Sequence, residues 1–284
     1  MKKIFILSIL ALAALSISAV GCKIYVNGDN SDGSGQSVTV GSGKRIEASA
    51  NQLSKTLDVE NFNAVKVSGN IQVLYVESPT TEVEFTAPDN VMEYYKYKVK
   101  DGELKVWLDG KVSINYPGDI QSPKLLIKAP SITGITLSGA SGFVTKALRA
   151  PESEIEIDLS GASSLTVENV NCKKFDAEIS GASSVKIADI KAGVVDLECN
   201  GASNASMVAD VEAIEVDCSG ASNVKLSGKA TSAIYECSGA SQISASKLEA
   251  VNGKANASGM SSVKSNIRNI TSQSASGMSK VSNK

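Results

Sequence analysis

From residue 131 to the C-terminus, apolar and polar residues alternate with a period of two, the spacing at which a strand turns successive side chains to opposite faces. The alternation is interrupted by Ser138-Gly139-Ala140-Ser141 and its repeats at Gly161, Gly181, Gly201, Gly220, Gly239, Gly259 and Gly277, with Met260 and Met278 in place of the alanine in the last two. The glycine-to-glycine steps are 22, 20, 20, 19, 19, 20 and 18 residues. Two residues before each glycine the chain carries Leu137, Leu159, Ile179, Cys199, Cys218, Cys237, Ala257 and Ala275. Four after it stand Phe143, Leu165, Val185, Ala205, Val224, Ile243, Val263 and Val281. Both columns are apolar in every repeat and are expected to face inward.

A short motif on a period near twenty is the signature of a solenoid, in which each repeat buries its apolar side only by stacking on its neighbours. Glycine and β-branched residues recur too often for helices. The expected fold is all-β, a right-handed parallel β-helix with coils of about 20 residues. The right hand follows from the strong preference of parallel crossovers and from a period that drifts, unlike three equal hexapeptides per coil. The residue after the glycine is large where the residue two before it is small, as in Ala257 with Met260 and Ala275 with Met278. Under volume conservation this predicts that the alanine column, Ala140 to Ala240, also points inward.

Upstream the pattern changes. Residues 1–21 read as a signal peptide: Lys2-Lys3, an apolar run from Ile4 to Val20, and the small residues Ala19-Val20-Gly21 before Cys22. A cysteine directly after that site makes Cys22 the expected lipidated N-terminus of the mature chain, with ordinary secretion as the alternative. Its acyl chains would anchor firmly, since each buried methylene contributes ~0.8 kcal/mol. Residues 22–56 are expected to form a tether, on the strength of the polar, Gly- and Ser-rich run Asn27 to Gly35. The β-helix is expected over 57–284, with irregular N-terminal coils and a hairpin in 57–130 and regular repeats in 131–284. Ser68-Gly69 reads as the turn of an early coil, Glu82 to Phe85 as a strand, and Asp101-Gly102 as a tight hairpin turn between alternating strands.

Val65 to Val73, the segment Asp101 to Val106 and the Ser-Gly-Ala-Ser array together resemble the head GIN domain family, secreted and lipoprotein chains described as putative autotransporter-adhesin heads. The resemblance covers roughly residues 57–284. It implies a right-handed β-helix in the cell envelope and no catalytic residues to assign; for the chain anchored through Cys22 the expected location is the outer membrane, with the leaflet left open.

Composition removes several chemistries. The net charge is −2, so no basic field exists to hold nucleic acid. There is no histidine, which excludes Ser-His-Asp and Cys-His catalysis and most zinc sites. No cofactor is implied. Cys199, Cys218 and Cys237 share one inward column on successive coils, within disulfide range by Cα spacing, although parallel side chains oppose the bond. Buried free thiols are favoured over a Cys199–Cys218 or Cys218–Cys237 bridge, and a soft-metal site is set behind both.

The carboxylates are the sharpest exposed feature. Asp158, Glu178, Glu198, Asp217 and Glu236 lie three before the glycine, and Glu156, Asp176, Asp196 and Glu215 lie five before it. A catalytic pair or calcium site occurs once, in a cleft; a feature repeated in nearly every coil reads as a solvated acidic face. Lys186, Lys225 and Lys264, five after the glycine, are expected to offset it. The serines two after the glycine, Ser141 to Ser241, would satisfy turn backbone rather than bind saccharide. The whole reads as a lipid-anchored, non-enzymatic envelope module that contacts membrane through acylated Cys22 and a glycan or envelope protein through the face of Asp158, Glu178, Glu198, Asp217 and Glu236. The alternative is a polysaccharide lyase or hydrolase on the same scaffold, by analogy of fold alone.

Overall fold

A computed structural model of the protein describes residues 44–284. The signal segment, Cys22 and the run Asn27 to Gly35 lie outside the described residues.

The regular repeats form the parallel β-helix expected. Five long strands, Ser164–Ile179, Ser184–Cys199, Asn204–Cys218, Asn223–Cys237 and Gln242–Ala257, each make one coil and pair in parallel with the next. Gly142–Leu159 precedes them, and Ile267–Ala275 with Lys280–Asn283 closes the array. Each coil ends in the tight turn that carries the glycine. At Gly181 φ is +71°, and a Cβ there would stand 2.5 Å from the carbonyl oxygen of Gly161, so glycine alone fits. That carbonyl accepts the amide hydrogen of Ala182 at 2.7 Å, which ties each turn to the one below.

The glycines stay in register although the period varies. The differences are absorbed on the far side of each coil, where register shifts fall between Ala150 and Glu154, Ile187 and Ile190, and Lys225 and Ser227. The core is a single apolar column along the axis. Leu137, Leu159, Ile179, Cys199, Cys218 and Cys237 are buried, as are Phe143, Leu165, Val185, Ala205, Val224, Ile243 and Val263. Ala275 of the inward column is instead exposed, because its strand stacks on Gln242–Ala257 and on no later coil. The four described cysteines, Cys172, Cys199, Cys218 and Cys237, are free and buried.

The segment 57–130 supplies the first coil and its cap. Ala64–Gly69 stacks in parallel on Gly134–Gly139, so that Gly69 lies under Gly139. Gln72–Glu77 stacks beneath the start of Gly142–Leu159. The hairpin of Tyr95–Lys100 and Glu103–Leu108 turns at Asp101 and Gly102, both with positive φ, and its second strand pairs in parallel with Ala64–Gly69. Glu82–Pro88, the expected strand, pairs antiparallel with Lys124–Ala129.

The expected tether of 22–56 ends earlier than its composition suggested. Lys44–Glu47 pairs in parallel with Val112–Asn115, and Gln52–Leu57 pairs antiparallel with Glu82–Pro88. Both are edge strands. Backbone pairing and contacts such as Ser54 Oγ to Thr86 Oγ1 at 2.7 Å hold Gln52–Leu57, of which Leu57 alone is buried, so no apolar alternation marks it. Among the described residues no helix is long and apolar enough to cross a membrane.

Candidate functional site: a flat, charge-bearing face

Three outward rows run along one sheet, at one, three and five residues before the repeat glycine. Alternation puts them on the same side because the residues between them, such as Leu197 and Cys199, fill the core. In the middle row Thr136, Asp158, Glu178, Glu198, Asp217, Glu236, Asn256 and Ser274 are successive register partners. In the second, Glu156, Asp176, Asp196 and Glu215 are likewise stacked. Nine carboxylates therefore share one face, all exposed or half-buried. The third row is Ser160, Ser180, Asn200, Ser219 and Ser238, and an open groove of about 570 Å3 runs between it and Glu198, Asp217 and Glu236.

Strand spacing near 4.8 Å brings like charges close. Asp217 feels it most: burial first, then Glu236, Glu215, Glu198 and Asp196, push its carboxyl up to about 6. Relief is local. Lys174 pairs with Glu154 at 2.7 Å and also with Asp176. Lys186, Lys225 and Lys264 form no ion pair with these rows. They stand past the turn, on the next face, where Lys186 is flanked in register by Thr166 and Ser206. The expectation that they offset the acidic face is therefore corrected. Among the described residues no group of three or more acidic or thiol side chains is arranged to hold a metal ion.

The turn reverses another expectation. Ala140, Ala162, Ala182, Ala202, Ala221 and Ala240 are exposed, and Met260 and Met278 are 63% and 78% exposed. The residue that turns inward is the following serine, buried from Ser141 to Ser261. In Ser141, Ser203, Ser222 and Ser261 the hydroxyl proton is within reach of both the turn's own carbonyl and one of the coil below, as in Ser222 with Ser219 O at 2.8 Å and Cys199 O at 3.0 Å. Ser163 donates to its own turn alone and Ser241 to the coil below alone. With the serine turned in to donate its one hydroxyl proton to a backbone carbonyl, the small residue before it is left on the ridge.

The same middle row continues past Thr136 with the opposite charge. Thr136 is in register with Lys66, Lys66 with Lys105, and Lys105 with Lys98. Lys98 Nζ lies 5.8 Å from the centre of the Trp107 ring, and Lys66, Ser68, Lys98, Lys105 and Trp107 line a cleft of about 220 Å3. Lys105 pairs with Glu103 at 2.7 Å; among the described residues Lys66 and Lys98 have no acidic partner. These lysines were not singled out in the sequence. Lys66 was legible there, since it stands three before Gly69, the offset of Asp158 and Glu178. Lys98 and Lys105 join the row only through the docking of the hairpin.

The described structure is thus a parallel β-solenoid with one flat, strongly polar face and no enclosed cleft lined by a unique pair of acids. Its family follows from the sequence as a whole. The model of the family described as "putative auto-transporter adhesin, head GIN domain" matches residues 61–189 and 179–284, and the chain belongs to that family. No curated protein matches it. Among solved structures, a putative adhesin from Parabacteroides distasonis is 16% identical with a TM-score of 0.73, over 85% of this chain and 100% of the other. A putative adhesin from Bacteroides fragilis is 19% identical with a TM-score of 0.60, covering 82% and 100%. A putative lipid binding protein from Parabacteroides distasonis is 14% identical with a TM-score of 0.55, covering 85% and 100%. At these identities the likeness is one of fold.

Proposed function

We propose that the protein is a non-enzymatic adhesion module of the cell envelope, anchored through acylated Cys22, that holds a macromolecular ligand, glycan or envelope protein, along its flat charged face. The observation that carries this reading is the repetition of the acidic rows in register over successive coils. A hydrolase or lyase concentrates its acids once, around a scissile bond; a face that repeats coil by coil suits an extended contact with many weak, equivalent points. Family membership supports the adhesin-like role.

The test has two arms. Cys22→Ser should release the protein from the membrane fraction, and cells lacking the protein should lose adhesion that the wild-type chain restores. A Cys22→Ser variant that still partitions with membranes overturns the anchor. Depolymerisation of a polysaccharide by the purified protein overturns the non-enzymatic reading.

A further inference from the structure

We infer that the flat face is self-complementary and that its partner is a second copy of this chain, docked face to face and antiparallel. The inference rests on the adhesion reading above and names the partner. One sheet, from the hairpin strand Tyr95–Lys100 to Ile267–Ala275, carries both signs of charge in a single row: three lysines, one threonine, then five acids.

Lysines on the edge strand would blunt edge-to-edge pairing, and that accounts for Lys96, Lys98 and Lys100. It does not account for Lys105 and Lys66, which stand on inner strands and place like charges opposite one another at a cost to the sheet.

A two-fold axis lying in the interface, parallel to the strands and between Thr136 and Asp158, sets the middle row against itself in reverse. Lys98 then meets Asp217 of the second copy, Lys105 meets Glu198, and Lys66 meets Glu178. Each outer row meets itself in reverse under the same axis, so that Lys100 meets Glu215. Each pair occurs twice by symmetry. Acid meets acid at one outer pair, Glu103 with Asp196, where Lys105, 2.7 Å from Glu103, offsets the repulsion; Glu156 lies opposite Gly134 and Asp176 opposite Ala64. Eight strands at about 4.8 Å and five residues at about 3.3 Å outline roughly 600 Å2 per copy, or ~1,200 Å2 in all, the lower bound of specific interfaces. Charge complementarity of this kind steers encounter and fixes the register more than it adds affinity.

Cells carrying the full-length chain, split into two dye-labelled populations, provide the test. Wild-type cells should co-aggregate at low salt and disperse as salt rises. A Lys66→Glu/Lys98→Glu/Lys105→Glu chain should lose self-aggregation by about tenfold or more, as should a Glu178→Lys/Glu198→Lys/Asp217→Lys chain. Mixed together, the two variants should co-aggregate again, because all six pairs are once more opposite in charge, three of them with their signs exchanged. Should either triple variant fail to fold, judged by circular dichroism of the purified full-length protein, Lys66→Gln/Lys98→Gln removes two exposed charges and should weaken aggregation in the same direction. Absence of wild-type co-aggregation, or variants that aggregate as wild type, overturns the inference. If cells still adhere to other surfaces under those outcomes, the adhesion reading stands without it; loss of both refutes both.

Discussion

Gly181 stacks on Gly161 so closely that a methyl group on the upper residue would lie 2.5 Å from the carbonyl oxygen of the lower one, and its φ of +71° excludes that methyl a second time. Two penalties therefore meet at one position. Gly181→Ala is expected to destabilise by on the order of 2–3 kcal/mol, from left-handed strain and the displaced turn hydrogen bond together. Chemical denaturation checks it; a loss under ~0.5 kcal/mol, the scale of an ordinary surface change, would show that the turns do not stack as described.

The neighbouring position behaves in the opposite way. Ala182 is exposed on the turn ridge, as Met260 and Met278 are in later coils. Ala182→Met is accordingly expected to change stability by no more than ~0.5 kcal/mol. A loss of ~1–3 kcal/mol, with partial recovery on adding Ile179→Ala, would restore the inward placement that volume conservation suggested.

These two positions show what the sequence carries and what it leaves out. Coil count, the glycine turn, the inward columns and the outward acids are all fixed by period and offset, and each is local to one repeat. The inward serine was read only halfway: its role toward the backbone was legible, its burial was not. Hydrogen bonding decided which of Ala or Ser turns in, and residue volume carries no information on that choice. Lys44–Glu47 and Gln52–Leu57 were hidden because edge strands held by backbone pairing need no apolar alternation. The sign change along the face depends on the hairpin docking beside Ala64–Gly69, a contact between segments about forty residues apart.

The acidic rows make stability depend on pH in a definite direction. An Asp217 carboxyl raised to about 6 from 3.8 binds its proton more tightly folded than unfolded. Its favourable state is complete below the ordinary value and is lost as pH rises through about 6. Asp217→Asn should therefore raise the melting temperature at pH 8 by about 1–3 °C, the group being partly solvated, and leave it nearly unchanged at pH 4. An equal shift at both pH values would mean that charge is not the cause.

Tyr235 offers a test of the core itself. It is fully buried in the inward column, in register with Val216 and Ala255, and the small residues Ala233 and Ala255 are fully buried as well. Its hydroxyl has no hydrogen-bond partner, and burial raises its pKa above the ordinary value. The ring therefore contributes packing while the oxygen carries a desolvation cost. Removing only the oxygen should be harmless: Tyr235→Phe is expected to leave stability unchanged or to raise it by up to ~1 kcal/mol. Removing the ring should not be, and Tyr235→Ala is expected to cost ~3–5 kcal/mol, because neighbours held by the stacked strands cannot close the cavity. Paired denaturation curves separate the two contributions. A Tyr235→Phe loss above ~1 kcal/mol would show that the hydroxyl is satisfied, by a buried water bridging to the strand backbone, and that the column is not wholly apolar at that coil.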